Sequence, residues 1–225
     1  MVGTGRAGTT LAGRLRDAGL ATTSGREVEP SAELVLIAVP DSSIGVVARA
    51  VPVGPWVAHV SGATSVTELA PHERRFSLHP LQTLTTDRGP EQLEGAWAAL
   101  TFETPEAGEV AHWLAERLGL HPFVLADADK ALYHAGAAMA SNFLVTLFRV
   151  AARLLVESGA PQEALVPLMR RVIENGFQLT GPIARGDWTT VDAHLAAIRD
   201  RAPDVEPVYR ALAEATRAVA AEDRS

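Results

Sequence analysis

Two groups of residues in this sequence have the types and spacing to do chemistry. The first is Gly3-Thr4-Gly5-Arg6-Ala7-Gly8, a G-x-G-x-x-G pattern followed by Thr9 to Leu15, which has the make-up of a helix. In that pattern the first glycine permits a tight turn, the second lets backbone approach a pyrophosphate, and the third lets helix and strand pack closely. An anion then meets free N–H groups at the helix N-terminus. About 20 residues further on, where a carboxylate would hold a ribose 2′-hydroxyl, stand Ser24 and Arg26. A hydroxyl and a guanidinium there suit a 2′-phosphate and favour NADP, while the neighbouring Glu27 keeps NAD open.

The second group is spread over a long apolar segment. Lys130 and His134 are four apart, and Ser141 is eleven from Lys130, which at about 100° per residue returns close to the same helix face. Ala135, Gly136, Ala137 and Ala138 between them are small enough for a ligand to approach the helix axis. Lys130 is the sole lysine in a chain whose basic residues are otherwise arginine. His79-Pro80 closes an apparent strand, with Gln82 and Thr83 just beyond. In open α/β sheets the ligand crevice lies outside the carboxyl ends of the strands. Reduction of a carbonyl needs a hydride donor, a proton source for the developing alkoxide, and a group that orients the substrate. Lys130, His134 and His79 are the catalytic candidates, and Gln82, Ser141, Asn142 and Arg185 the substrate-binding ones.

These residues need an α/β frame. Leu34–Val39 is a continuous apolar run stopped by Pro40, as expected of a strand buried on both faces. Residues 56–61, 75–79, 97–102 and 121–125 read as further strands. Pro105–Leu118 reads as a helix with Thr104 as its cap. From Asp127 onward the apolar period is about 3.6. Helices are expected over 127–158, 161–178, 189–201 and 205–221, with Asp187 capping the third, so the domain boundary falls near 126. The segment 131–148 approaches membrane-spanning length but carries His134, Ser141 and Asn142, so it is expected to be a buried helix. The adenosine side is short. Met1-Val2 leaves two residues for a central strand, for which an upstream start would supply the rest, and only Glu27–Glu33 separates the second strand from the third, too few for a crossover helix.

Read in order, residues 38–41 (Ala-Val-Pro-Asp), 60–63 (Val-Ser-Gly-Ala), 77–83 (Ser-Leu-His-Pro-Leu-Gln-Thr), 130–134 (Lys-Ala-Leu-Tyr-His), 140–143 (Ala-Ser-Asn-Phe) and 180–187 (Thr-Gly-Pro-Ile-Ala-Arg-Gly-Asp) resemble a known family. It is that of the Rossmann-like proteins whose helical C-terminal half is the domain of unknown function 2520. The resemblance extends over nearly the whole chain. It implies an NADP-binding domain over 1–126 and a helical substrate and dimerisation domain over 127–225, similar to 6-phosphogluconate and β-hydroxyacid dehydrogenases, pyrroline-5-carboxylate reductase and ketopantoate reductase. In such dehydrogenases a lysine on the first helix of the second domain donates the proton and an asparagine further along assists; Lys130 matches the first position, while Asn142, about 120° round the helix from Lys130, matches the second less well. Val39-Pro40 and Ser61-Gly62, at strand ends, are expected to line the cofactor.

Composition narrows the rest. Of 225 residues 47% are hydrophobic, and the net charge of −7 gives no electrostatic case for binding nucleic acid or an anionic membrane. The absence of cysteine removes disulfides, thiolate nucleophiles and cysteine-ligated metals. Nothing resembling an export signal opens the chain, so the cytoplasm is the default compartment. No paired metal-ligand spacing, Walker loop or G-x-S-x-G elbow occurs. The expectation is therefore an NADP-dependent oxidoreductase that reduces a small carbonyl or imine compound, with a 2-keto acid such as ketopantoate foremost, working as a homodimer. The alternative is a nucleotide-binding or dimeric scaffold without turnover. Whether Lys130, His134 and His79 converge separates the two.

Overall fold

The computed structural model describes residues 1–222. Helix α1 (Arg6–Asp17) follows the glycine turn. Then come β1 (Leu34–Ile37), α2 (Ile44–Ala50), β2 (Trp56–His59), β3 (Arg75–Leu81), β4 (Trp97–Phe102), α3 (Pro105–Leu118) and β5 (His121–Val124). Local chemistry sets these limits. Pro40 ends the chain's first buried run, Thr104 caps α3 by accepting the Ala107 N–H at 3.2 Å, and Gly119, at φ 72°, closes it.

The strands lie in the order β1-β2-β3-β4-β5. β1, β2 and β3 are parallel, β4 runs antiparallel to β3, and β5 is parallel to β4. No crossover helix lies between β3 and β4, so the chain returns antiparallel. Beyond β1 the sheet continues as single bridges, Val2 to Ile37 and Val2 to Gly25. The two-residue stub is thus paired on both sides. Val2 N–H donates to Leu36 O at 2.8 Å, and Gly25 N–H donates to Met1 O at 3.1 Å. No helix separates Gly25 from β1, in keeping with the shortened adenosine side.

Alternation along the strands divides the two faces. One face, with Leu36, Ala58, Phe76, Leu78, Ala98 and Leu100, packs against Leu11 and Leu15 of α1 and Ala111, Leu114 and Leu118 of α3. The opposite face carries Val35, Ile37 and Val57 under Ile44 and Ala48 of α2 and the turn at Val66–Leu69. Further along that second face, His59 of β2 and Ser77, His79 and Thr101 of β3 and β4 form a largely polar lining around Ala99. The sheet therefore changes from an apolar to a polar lining where β2 meets β3.

After a single 3₁₀ turn at Asp127–Asp129 the chain is helical: α4 (Lys130–Ala138), a π-helical segment (Met139–Phe143), α5 (Leu144–Glu157), α6 (Leu165–Glu174), α7 (Pro182–Arg185), α8 (Trp188–Arg201) and α9 (Glu206–Glu222). The fold is thus a Rossmann-like, mostly parallel sheet followed by helices. Strands give way to helices near residue 126, whereas the two compact units are Met1–Ser141 and Asn142–Ser225. The division falls inside the helical stretch because α4 is rooted by its first turns in the sheet unit.

The second unit holds a small core of Ile198, Ala202 and Val205 against Val150, Leu154 and Tyr209. A bidentate pair of Arg153 with Asp204 adds a tie at 2.5 and 2.6 Å. Here one expectation fails. The helix Asp127–Glu157 is long and apolar enough to cross a membrane by length and composition, yet only 6% of its most apolar stretch is buried. Phe143, Leu144, Val145 and Leu147 are exposed, as are Val172 and Ile173 on α6. Polar interruptions argued against lipid, but burial needs covering elements, and a single chain does not supply enough of them.

The glycine turn yields a paired prediction. A Cβ on Gly8 would lie 2.2 Å from the Gly3 carbonyl oxygen, and one on Gly3, at φ +112°, 2.2 Å from that of Ala38. Gly8→Ala should lower stability by about 3 kcal/mol or more, a fall of roughly 6–12 °C in the unfolding midpoint. Around Gly5 nothing lies within 4 Å, and Gly5→Ala should move the midpoint by less than about 3 °C. Thermal denaturation of the two variants checks this contrast.

Candidate active site

The close approaches at Gly3 and Gly8 pull the turn flat against β1. Gly5 caps α1 without a side-chain bond, and the first turn of α1 has no acidic residue. Its N–H groups therefore face open space beside exposed Thr4 and Arg6, with Ala7 half-buried. Thr9 Oγ donates to Thr4 O at 3.2 Å, which ties the turn to the helix it begins. A pyrophosphate fits this cradle, whose one open position is the glycine that a Cβ would fill. Val39 and Pro40 continue from β1 on the same side of the sheet as Gly3.

At the ribose position the structure separates the two candidates. The Ser24 hydroxyl accepts a 2.9 Å bond from Arg16, whose Nε also donates to Thr22 O. Ser24 is thereby tied to α1. Arg26 is exposed and makes no hydrogen bond or ion pair among the described residues.

The second cluster forms where α4 meets β2 and β3. Lys130 is only 2% exposed, and its ammonium donates to Ser77 Oγ at 2.8 Å and Ser61 O at 3.3 Å. Both acceptors are neutral, and burial pulls Lys130 below its ordinary pKa, opposed by Asp127 and Asp41. One turn on, the Tyr133 hydroxyl lies 2.8 Å from His79 Nδ1. The His134 ring centroid is 6.0 Å from that of His79, edge to face. Gly62 sits against both rings. A Cβ there would come within 2.8 Å of His79 Cε1 and 2.9 Å of His134 Cδ2. Lys130, His134, His79, Ser61 and Gly62 are therefore brought together. The glycine is needed because two imidazoles occupy the space of its missing side chain.

The loop after β2 is held from two sides. Asp127 accepts from Ser65 Oγ at 2.5 Å and Val66 N–H at 2.8 Å, which pins the start of the helix to that loop. His59, fully buried, accepts the Ser61 N–H on Nδ1 at 3.2 Å, so its proton is on Nε2, 3.3 Å from Ser65 O. Burial, and then the Lys130 charge, pull His59 down to about 4, and burial, followed by His134 and Lys130, does the same to His79. Both rings are neutral at pH 7. Burial pushes Tyr133 up to about 12.

Of the four expected substrate residues, Gln82 and Ser141 of the first unit bond locally. Gln82 is exposed and folds onto its own neighbour, accepting the Thr83 N–H at 2.9 Å. Ser141 Oγ donates back to Ala137 O at 2.7 Å within the π-helical segment. A uniform 100° per residue does not hold through a π turn, so the face shared with Lys130 ends before Ser141. Asn142 is exposed and begins the second unit. Arg185, also in that unit, donates to Thr180 O and closes its own short helix. Sequence reasoning missed Tyr133, Ser77, Asp127 and His59. Ser77 and His79 are two apart on a strand, and Lys130 and Tyr133 three apart on a helix, a pairing of periods that would have joined them.

A sheet with a glycine turn at its first strand and helices on both faces defines the Rossmann-like class. Residues 97–216, just over half of the chain, match the family model for Domain of unknown function (DUF2520), and the chain belongs to that family. Comparison with curated proteins gives no match. Among solved structures, a Bacteroides fragilis protein described as an NADP oxidoreductase is 19% identical, with a TM-score of 0.81 over 96% of each chain. A Thermotoga maritima protein is 26% identical, with a TM-score of 0.74 over 90% of this chain and 83% of that one. The NADH-preferring ketol-acid reductoisomerase of an uncultured archean is 15% identical, with a TM-score of 0.60 over 99% and 82%.

The neutral histidines set a pH dependence. Their folded pKa values are depressed, so the unfolded chain takes up protons first as pH falls below about 6.5. The stability they contribute is complete above that value and is lost between it and about 4. Each ring should cost on the order of 2 kcal/mol across this window. His59→Asn, which keeps an acceptor for the Ser61 N–H but cannot titrate, should flatten the slope of stability against pH. Urea unfolding at a series of pH values measures it.

Proposed function

We propose that the protein is an NAD(P)-dependent oxidoreductase that reduces a small carbonyl or imine compound, with a 2-keto acid such as ketopantoate the leading substrate. The observation that carries this reading is Lys130, an ammonium buried among neutral acceptors beside two imidazoles at the strand ends, in the same compact unit as the glycine turn. A buried charge without a carboxylate partner costs stability, and such groups concentrate at functional sites. The structures it resembles include enzymes described by their use of NADP and NADH.

Gly3, Gly5, Gly8 and the α1 N–H groups would hold the pyrophosphate, Arg26 the 2′-phosphate, and Val39, Pro40, Ser61 and Gly62 would line the remainder. The nicotinamide, when bound, supplies the hydride. Around it this chain's own groups act on the substrate oxygen. Two of the three Lys130 N–H bonds are taken by Ser77 and Ser61, and the ammonium lends positive potential and a proton to an oxygen gaining charge. His79 and His134 line the other side.

NADPH should bind more tightly than NADH, by tenfold or more, because an arginine contact to phosphate is charge-assisted, and Arg26→Ala should remove the difference. Quenching of tryptophan fluorescence measures both. NADPH oxidation against a panel of keto acids and imines then tests the activity. Lys130→Met should lower turnover about a hundredfold while leaving NADPH affinity within about threefold. The same variant should unfold at an equal or higher temperature, since it removes a buried charge. Turnover unchanged in Lys130→Met would sink the assignment, and equal affinity for the two cofactors the preference.

The second unit completes the proposal as a homodimer. Phe143 is 60% and Ile173 57% exposed, and Leu144, Leu147 and Val172 are exposed apolar residues on the same two helical segments. The occupant proposed is the same helical unit of a second copy, because the faces present aliphatic side chains with few charges, in a chain whose net negative charge disfavours anionic lipid or nucleic acid. Light scattering should give a mass of about twice 23.8 kDa. Leu147→Asp should shift the protein to monomer, whereas a wild-type monomer, or one that partitions onto neutral vesicles, overturns the dimer.

A further inference from the structure

His79 is held by every part of the cluster except at one atom. Its Nδ1 meets the Tyr133 hydroxyl, Gly62 lies against the Cε1–Nδ1 edge, and the Tyr133 and His134 rings contact it edge to face at 5.5 and 6.0 Å. Nε2 has no protein partner. Among the described residues no buried side-chain nitrogen or oxygen lacks one, so Nε2 reaches the open side of the site. Lys130 is the reverse case, its ammonium enclosed and already donating twice.

We propose that Tyr133 is a positioning residue that locks His79 as a neutral imidazole with its proton on Nε2, so that the site meets a substrate oxygen with a neutral N–H donor. The proposal rests on the reading of this cluster as the substrate site of a reductase. A phenol has one proton, and the acceptor beside the Tyr133 hydroxyl is Nδ1. Donation there leaves Nδ1 without a proton and places the ring's own on Nε2. In the other tautomer Nδ1–H would donate to the phenol oxygen and Nε2 would turn to the substrate a bare lone pair, which can accept from no carbonyl oxygen.

The neighbours keep the ring uncharged. Burial is the largest cause, His134 and then Lys130 on α4 also oppose a positive charge, and Asp41 before α2 acts the other way. Neutral Nε2–H polarises a carbonyl by hydrogen bonding and keeps its proton throughout, so its donation does not vary near neutral pH. Tyr133 itself is steadied by Phe123 of β5, whose ring centroid is 5.9 Å away.

Nitrogen NMR of the whole protein with ¹⁵N-labelled histidine tests this directly, the His79 signals being assigned by their loss in His79→Asn. At pH 7 the wild type should show an unprotonated Nδ1 and a protonated Nε2, with no titration between about pH 5.5 and 8. Tyr133→Phe keeps the ring against Phe123 but removes the donor, and should shift Nδ1 towards the averaged value of a mixed tautomer while NADPH affinity and the unfolding midpoint hold. On the panel compound that the wild type reduces fastest, Tyr133→Phe should lower kcat about tenfold or more with KM within about threefold. A wild-type ring protonated on Nδ1, or a Tyr133→Phe spectrum identical to wild type, overturns the proposal. The spectrum needs no turnover, so failure to bind NADPH or reduce any compound would count against the reductase reading alone.

Discussion

Taking an ammonium out of water is tolerable only where oxygen atoms replace its hydration, and the placement of Lys130 obeys that constraint. Ser77 Oγ and Ser61 O come from β3 and from the loop after β2, so satisfying the lysine roots the first turn of α4 in the sheet. Everything else at the site is hung from that root. Tyr133 and His134 are delivered one turn later to His79, which is two residues beyond Ser77 on the same strand face. Asp127, just before the helix, fastens its other side to Ser65 and Val66.

The polar lining of β3 is what makes the rooting workable. The strand from Arg75 to Leu81 turns Phe76 and Leu78 into the core under α3, and Ser77 and His79 to the opposite side. On β1 and at Val57 of β2 that opposite side is aliphatic and covered by α2, and it turns polar at His59. A sheet lined with aliphatic residues throughout would have excluded the lysine, and one polar throughout would have lost the core. Gly62 contributes by having no side chain, since a methyl group would occupy the ground held by two imidazoles.

The second unit shows the opposite economy. It has few buried aliphatic residues and many exposed ones, while the sheet unit encloses a continuous core on both faces. Hydrophobic surface removed from water is worth roughly 25 cal/mol per Å², so each aliphatic side chain left open forgoes that stabilisation. Lys130, Tyr133, His134 and His79, by contrast, all lie within the sheet unit.

Much of the frame was legible because its signals are local. Trp97–Phe102 and Pro105–Leu118 stand where alternation, a capping threonine and a proline at the helix start put them. The glycine turn was readable for the same reason: Gly3 and Gly8 each answer a backbone contact within a few residues or to the adjacent strand. The convergence of Lys130, His134 and His79 could be suspected, but not its form. Helical geometry placed Lys130 on a common face with Ser141, and a π-helical segment ended that face. Tyr133 looked like an ordinary helix residue until its hydroxyl met an imidazole 54 residues away. The antiparallel return of β4, the turning of Ser24 towards Arg16 and the exposure of the long helix were likewise decided by tertiary structure. Composition and period determine which residues can form a strand, a helix or a turn, because those depend on neighbours in the chain. Which atom answers a buried charge depends on partners such as Ser77 and Ser61, 53 and 69 positions from Lys130, and only folding brings those within hydrogen-bonding distance.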